Sequence, residues 1–267
     1  MSKKKLIASL FCLAGLLGLG TQAANADVLD NVMKSKEIRI STDLGIPPAG
    51  MMTPSMEPTG ADVEVGRLLA KDWGLNYKLV QTTGATRIPN LQTEKADIVV
   101  STLSVTPQRA EVIDFSKPYA VLKSVVGGYD NLPVTSLETL KGHTVAVTRG
   151  TTQDTALTPE ATKYGFNVAR YDDDATLVTA AVSGQAKMVA TSESLVDAID
   201  KKIGKDNFKP LFVIQYFDLA IGVKKGEKAL LEKVNTWVET NLSNGKLNAI
   251  HTKFYGSELP KEMTGSK

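Results

Sequence analysis

Apolar and polar positions along the chain switch repeatedly between a period of two and a period near 3.6. Glu37 to Thr42 (EIRIST) alternates and reads as a first strand, followed by a loop rich in Gly, Pro and Met from Asp43 to Thr59. Ala61 to Trp73 then places Val63, Val65, Leu68, Leu69 and Trp73 at helical spacing. Tyr77 to Val80 reads as a strand, Ile88 to Glu94 as a short helix and Ile98 to Val100 as a third strand. Lys123 to Gly128 reads as an extended crossover. After it the pattern restarts with a short helix from Leu137 and a strand over Thr144 to Val147. Helices near Thr155 to Tyr164, Ala175 to Ser183 and Leu195 to Lys201 then alternate with strands at Val168 to Tyr171 and Met188 to Ala190. A strand at Leu219 to Val223 and helices over Glu227 to Asn244 and Lys246 to Phe254 close the chain. Strands alternating with helices predict an α/β fold with parallel sheets, and the βαβ pattern occurs twice.

The first 26 residues change the picture. Lys3, Lys4 and Lys5 precede an apolar run from Leu6 to Leu19, and Ala24-Asn25-Ala26 is a small-x-small cleavage site. This is the pattern of an export signal cut after Ala26. Cys12 lies inside the apolar run behind the bulky Phe11, which argues against a lipid-modified cysteine. The remaining 241 residues contain no cysteine, so disulfides and thiolate metal sites are excluded there. They carry 28 basic and 29 acidic residues, a balance that speaks against nucleic acid or a polybasic membrane role. The two histidines, His143 and His251, lack metal-ligand spacing, and Asp172-Asp173-Asp174 reads as a solvated turn with Asp174 capping the next helix. No metal or cofactor is expected.

The densest chemistry lies in residues 101 to 119, STLSVTPQRAEVIDFSKPY. Hydroxyls at Ser101, Thr102 and Ser104 follow a strand end. Thr106-Pro107 then suits a helix N-cap and first position, and Arg109 comes one turn later. Free N–H groups, a positive dipole end and a planar guanidinium together make a carboxylate-binding arrangement. Pairing of Arg109 with Glu111 or Asp114 is the competing reading. Gly150-Thr151-Thr152-Gln153 repeats the logic, with a glycine turn between a strand and a helix N-terminus.

The run STLSVTPQR followed by IDFSKPY resembles the signature of bacterial family 3 extracellular solute-binding proteins, and the similarity extends from about Ile38 to Gly256. The resemblance implies a type II periplasmic-binding-protein fold of two lobes. Residues 27–121 plus 222–267 would form the first, 122–221 the second, with two antiparallel crossovers as the hinge. It implies a periplasmic, monomeric receptor that closes on an amino acid or related carboxylate and delivers it to an inner-membrane ABC permease.

By the same resemblance Arg109 holds the ligand carboxylate, with Ser104, Thr102 and Ser101 beside it. Thr152, Thr151 and Gln153 close from the second lobe, and Arg87, in Thr86-Arg87-Ile88-Pro89, lies near the ligand side chain. Asp43 either takes a ligand ammonium or caps its own loop. Where many relatives carry an aspartate for the α-ammonium, this chain has Ser192, with Glu193 adjacent. Aromatic positions of the family are Ile46 and Ala49 here. The fold also includes cyclohexadienyl dehydratases acting on prephenate or arogenate, for which Glu193 would be the candidate general acid.

Overall fold

The computed structural model describes residues 27–264; the export signal expected at residues 1–26 lies outside the described residues. The chain opens with α1 (Val28–Ser35), which is not among the predicted elements; the Asp27 carboxylate caps it by accepting the Leu29 N–H at 3.0 Å. β1 (Glu37–Thr42) follows, then a tight hairpin of β2 (Met51–Met52) and β3 (Pro58–Thr59). α2 (Ala61–Asp72), β4 (Asn76–Gln81), α3 (Arg87–Gln92), β5 (Ile98–Val99) and the one-turn α4 (Pro107–Ala110) complete the first run. The second contains β6 (Ile113–Tyr129), β7 (Thr144–Thr148), α5 (Thr152–Tyr164), β8 (Asn167–Tyr171), α6 (Asp174–Val182), β9 (Met188–Ser192) and α7 (Glu193–Ile203). β10 (Phe208–Lys224), α8 (Lys228–Ser243), α9 (Lys246–Tyr255) and α10 (Lys261–Thr264) end it.

Eight strands form one continuous sheet in the order β4-β1-β5-β10-β6-β9-β7-β8. β1 pairs in parallel with β4 and β5 at one end, and β7 with β8 and β9 at the other. Helices cross between these parallel neighbours, as parallel pairing requires. The two ends are joined by β6 and β10, an antiparallel ribbon of 17-residue strands. Gly222 and Val223 of β10 pair with β5, whereas Ser124 to Gly128 of β6 pair with β9, so the ribbon belongs to both halves. This fold is two-lobed α/β.

Each half has its own core. Ile38, Ile40, Leu69, Val234 and Trp237 pack beneath β1, α2 and α8. Val125, Leu177, Val189, Leu195 and Phe208 fill the other half, with Val126, Val147 and Leu157 on the opposite sheet face. Ile46 and Ala49, from the loop after β1, join the second half's core, so that loop already reaches across the gap between halves.

The ribbon strands are far longer than the predicted Lys123–Gly128 and Leu219–Val223. Pro118 and Pro210 interrupt the strand pattern, yet each sits beside a register shift where a missing N–H is tolerated.

Candidate functional site

The polypeptide leaves β5 through a turn that is fixed from three sides. Thr102 adopts φ 42°, a left-handed conformation that a β-branched residue rarely takes. Its N–H donates to Asp62 Oδ2 at 2.7 Å, and Tyr119 Oη donates to Asp62 Oδ1 at 2.7 Å. Burial pushes the Asp62 carboxyl up to about 6, against the pull of these two hydrogen bonds. The Ser101 carbonyl accepts Arg87 Nη1 at 2.6 Å and the Thr102 carbonyl accepts it at 3.3 Å. Ser101 Oγ accepts the Asp43 N–H at 3.0 Å, tying the turn to the end of β1. Ser101 is therefore spent behind the turn, while Thr102 and Ser104 face the cavity.

Arg109 stands on α4, whose start is capped by Thr106 Oγ1 accepting the Arg109 N–H at 3.2 Å. Nη1 donates to the Ser104 carbonyl at 3.0 Å and Nη2 crosses to the Gly150 carbonyl at 3.1 Å. Desolvation, and after it the charge of Arg87, lower its pKa to about 9, so it remains cationic at neutral pH. Neither arginine forms an ion pair among the described residues. Of the two acids that competed for Arg109, Asp114 pairs with Lys225 and Glu111 forms no ion pair with it; Glu94 and Asp97, the acids downstream of Arg87, pair with Lys224 and Arg39.

On the far side β7 runs into Gly150 (φ 75°) and α5. Thr151 is the N-cap: its Oγ1 accepts the Asp154 N–H at 3.3 Å and donates to the Thr148 carbonyl at 2.7 Å. The helix begins at Thr152, a turn earlier than predicted, so the N–H groups of Thr152 and Gln153 have no helical acceptor. Gln153 Nε2 donates to Ser124 Oγ at 2.9 Å and anchors the helix start to β6. The halves touch closely here: a Cβ on Gly150 would lie 2.9 Å from Ala85 Cα, and one on Gly84 2.9 Å from the Arg149 carbonyl. Between them lies a small cavity of about 30 Å³ that opens in part to solvent.

That cavity brings together Arg87, Arg109, Thr102, Ser104, Thr151, Thr152, Gln153 and Ser192. Ser192 also caps α7, its Oγ accepting the Leu195 N–H at 3.2 Å. Glu193 is turned away: its Oε1 accepts from Lys123 Nζ at 2.5 Å in a neighbouring groove along the ribbon. Asp43 lies buried behind the wall, with Oδ1 accepting the Gly45 N–H at 2.8 Å; burial raises its pKa.

One wall residue is new. Asp174 does not cap α6; Asp173 does, accepting the Thr176 N–H at 2.7 Å, and Asp174 turns inward to line the cavity. Burial first and the charge of Asp43 second push its carboxyl up to about 7. In a run of three aspartates only the register of the helix start separates the cap from the buried acid.

The model of the bacterial extracellular solute-binding proteins, family 3, matches residues 38–257. The chain belongs to this family. It is 28% identical to the L-arginine-binding protein of Pseudomonas aeruginosa over 254 residues, 90% of this chain and 96% of that one. The solved structure of a solute receptor for L-cysteine of Neisseria gonorrhoeae superposes with a TM-score of 0.80 at 28% identity, covering 89% of this chain and 98% of that one. An ancestral amino acid-binding protein, a precursor of cyclohexadienyl dehydratase, gives 0.76 at 28% identity, covering 85% and 99%. Family 3 proteins are extracellular binding proteins, and no described helix here is long and apolar enough to cross a membrane. The serine at position 192 is committed to capping a helix, and Asp174 enters the cavity from α6.

Proposed function

We propose that this chain captures an amino acid or closely related small carboxylate between its lobes and presents it to an ABC importer in the inner membrane, as a monomer exported to the periplasm. The first lobe is residues 27–121 plus 222–267 and the second 122–221; the β6–β10 ribbon is the hinge. Arg109 takes the ligand carboxylate, helped by Ser104 and Thr102. Thr152, Thr151 and Gln153 close on it from the second lobe, where helix N–H groups favour negative charge.

The observation that carries this reading is the pair of inward-facing cations, Arg109 and Arg87, with no ion-paired carboxylate of their own, in a cavity both lobes enclose. A desolvated cation of this kind is stabilised by an incoming anion. Closure follows because the ligand touches both lobes and so binds the closed form better.

A thermal-shift panel on ligand-stripped protein tests it, with the common amino acids, small dicarboxylates, prephenate and arogenate. A ligand at 100 times its dissociation constant stabilises the fold by about 2.7 kcal/mol. An amino acid is expected to produce that shift; absence of any shift across the amino acids and small carboxylates of the panel would overturn the reading. We read the chain as a receptor and not a dehydratase because the candidate acid Glu193 is ion-paired outside the cavity. Turnover of prephenate or arogenate by the purified protein would reverse that choice.

A further inference from the structure

Two carboxyl groups approach the closed gap from opposite lobes. Asp43 follows β1 and is 5% exposed; Asp174 opens α6 and is 3% exposed. Each has one oxygen engaged, Asp43 Oδ1 by the Gly45 N–H and Asp174 Oδ1 by Thr148 Oγ1 at 2.7 Å. Each leaves Oδ2 buried with no hydrogen-bond partner among the described residues. The segments are in contact: a Cβ at Gly45 would lie 3.0 Å from Ala175 N and 3.2 Å from Asp43 Oδ1. A buried carboxylate oxygen without a donor is costly, and two of like charge across one gap are more so.

From this geometry we propose that the cationic group of the ligand binds at Asp174 on the cavity wall, with the buried Asp43 carboxyl behind it, replacing a proton that these carboxyls hold while the cleft is closed without ligand. The inference rests on the amino-acid-receptor reading above and assigns the ammonium to Asp174 on α6, an element other than the strand end at Ser192. It divides the cavity by charge, with the carboxylate at Arg109 and the cation at Asp174.

The neighbouring groups set the proton balance. Arg87 from α3 faces Asp43, Asp62 and Asp174 and favours their ionised forms. Asp173, at the exposed end of the same helix, opposes ionisation of both, as Asp43 does for Asp174. Burial outweighs Arg87, and Asp174 titrates at about 7. An ammonium brought against Oδ2 expels the proton to solvent. Binding therefore tightens as pH rises through neutrality.

Isothermal titration tests this with the L-amino acid giving the largest thermal shift and with its desamino counterpart, each in phosphate and in Tris, whose ionisation heats differ. Wild-type protein is expected to bind the amino acid about tenfold more tightly at about pH 8 than at about pH 6, and to release a fraction of a proton near pH 7. Asp174→Asn is expected to weaken the amino acid by about tenfold or more, abolish the pH dependence, and leave the desamino acid unchanged. Amino-acid affinity and proton release equal to wild type in Asp174→Asn would overturn the proposal. So would wild-type binding that releases no proton, a measurement that needs no variant to fold. A protein that binds no amino acid fails at the receptor reading itself, whereas one that binds without these linkages fails only here.

Discussion

The cleft is made from two strand–turn–helix junctions that meet the same demand by different means. At Gly150–Thr152 the backbone turns through a glycine at φ 75°, and the following 13-residue helix is capped by its own Thr151. At Ser101–Arg109 the turn passes through a threonine at φ 42°, and the helix is a single turn. The second-lobe junction stabilises itself locally. The first-lobe junction is held by distant groups: Asp62 and Tyr119 on one side, Arg87 on the other. Strain of this kind persists where surrounding structure over-determines the backbone, which is common at binding sites. The locally built junction presents helix N–H groups; the imposed one presents the guanidinium that crosses the gap.

The largest expected effect comes from removing that crossing. Arg109→Ala is expected to weaken ligand binding by about 2–5 kcal/mol, because the ligand carboxylate is then buried without its partner. Titration calorimetry on folded variant protein checks this, and wild-type-like affinity would refute the carboxylate assignment.

Next is the scaffold that imposes the strained turn. Asp62→Asn keeps the shape but replaces one acceptor oxygen with a donor, so either the Thr102 N–H or the Tyr119 hydroxyl loses its acceptor. The expected cost is about 1–3 kcal/mol in chemical unfolding at neutral pH. The pH dependence has a definite sign. An acid whose folded-state pKa rises to about 6 holds a proton that the unfolded chain has shed from about pH 4 upward. Stability of the ligand-free protein should therefore increase as pH falls from about 7 towards about 5, and Asp174 adds to the same slope. The Asp62→Asn variant, neutral at every pH at this position, should show a shallower rise. An equal slope would mean that Asp62 titrates as it does in the unfolded chain.

Much of this architecture is legible in the sequence for physical reasons. Glu37–Thr42 shows because Ile38 and Ile40 alternate with polar residues, and Thr144–Thr148 because a central parallel strand carries an apolar run between turn residues. The two junctions show because hydroxyl, Pro and Gly signals mark helix starts. The ribbon is obscured, since β6 and β10 change environment along their length and each contains a proline at a register shift. α1 carries its signal in the spacing of Val28, Leu29, Val32 and Met33 behind the Asp27 cap, directly after the expected cleavage site. Asp174 and Glu193 mark the limit for the site. Whether each acid faces the cavity depends on one step of helix phase, which places Asp174 inside and Glu193 against Lys123.

The self-stabilised junction has its own weak point. Gly150→Ala puts a Cβ on a left-handed residue and within 2.9 Å of Ala85 Cα in the opposite lobe. The backbone term is expected to cost about 1 kcal/mol of stability. The contact adds a penalty only to the closed state, so ligand affinity should fall further than stability does. Small-angle scattering with saturating ligand should then show a larger radius of gyration than wild type. If affinity and stability fall equally, the close approach does not limit closure.

The smallest effect separates the junctions most sharply. Thr102→Gly gives the strained turn the residue its backbone prefers, while Asp62 can still accept the amide at position 102. Relief of strain favours the folded state, and the greater freedom of glycine in the unfolded chain opposes it, so the net change is expected within about 1 kcal/mol of zero. Gly150→Ala, by contrast, must destabilise. Ligand affinity should nevertheless drop in Thr102→Gly, because the side chain lines the cavity and a glycine no longer holds the Ser104 and Arg109 groups in one geometry. A variant as stable as wild type that binds more weakly would show that the threonine at φ 42° is kept for the ligand. Undiminished affinity would instead make the turn a structural feature, with the cavity's specificity resting on Arg109 and the groups facing it.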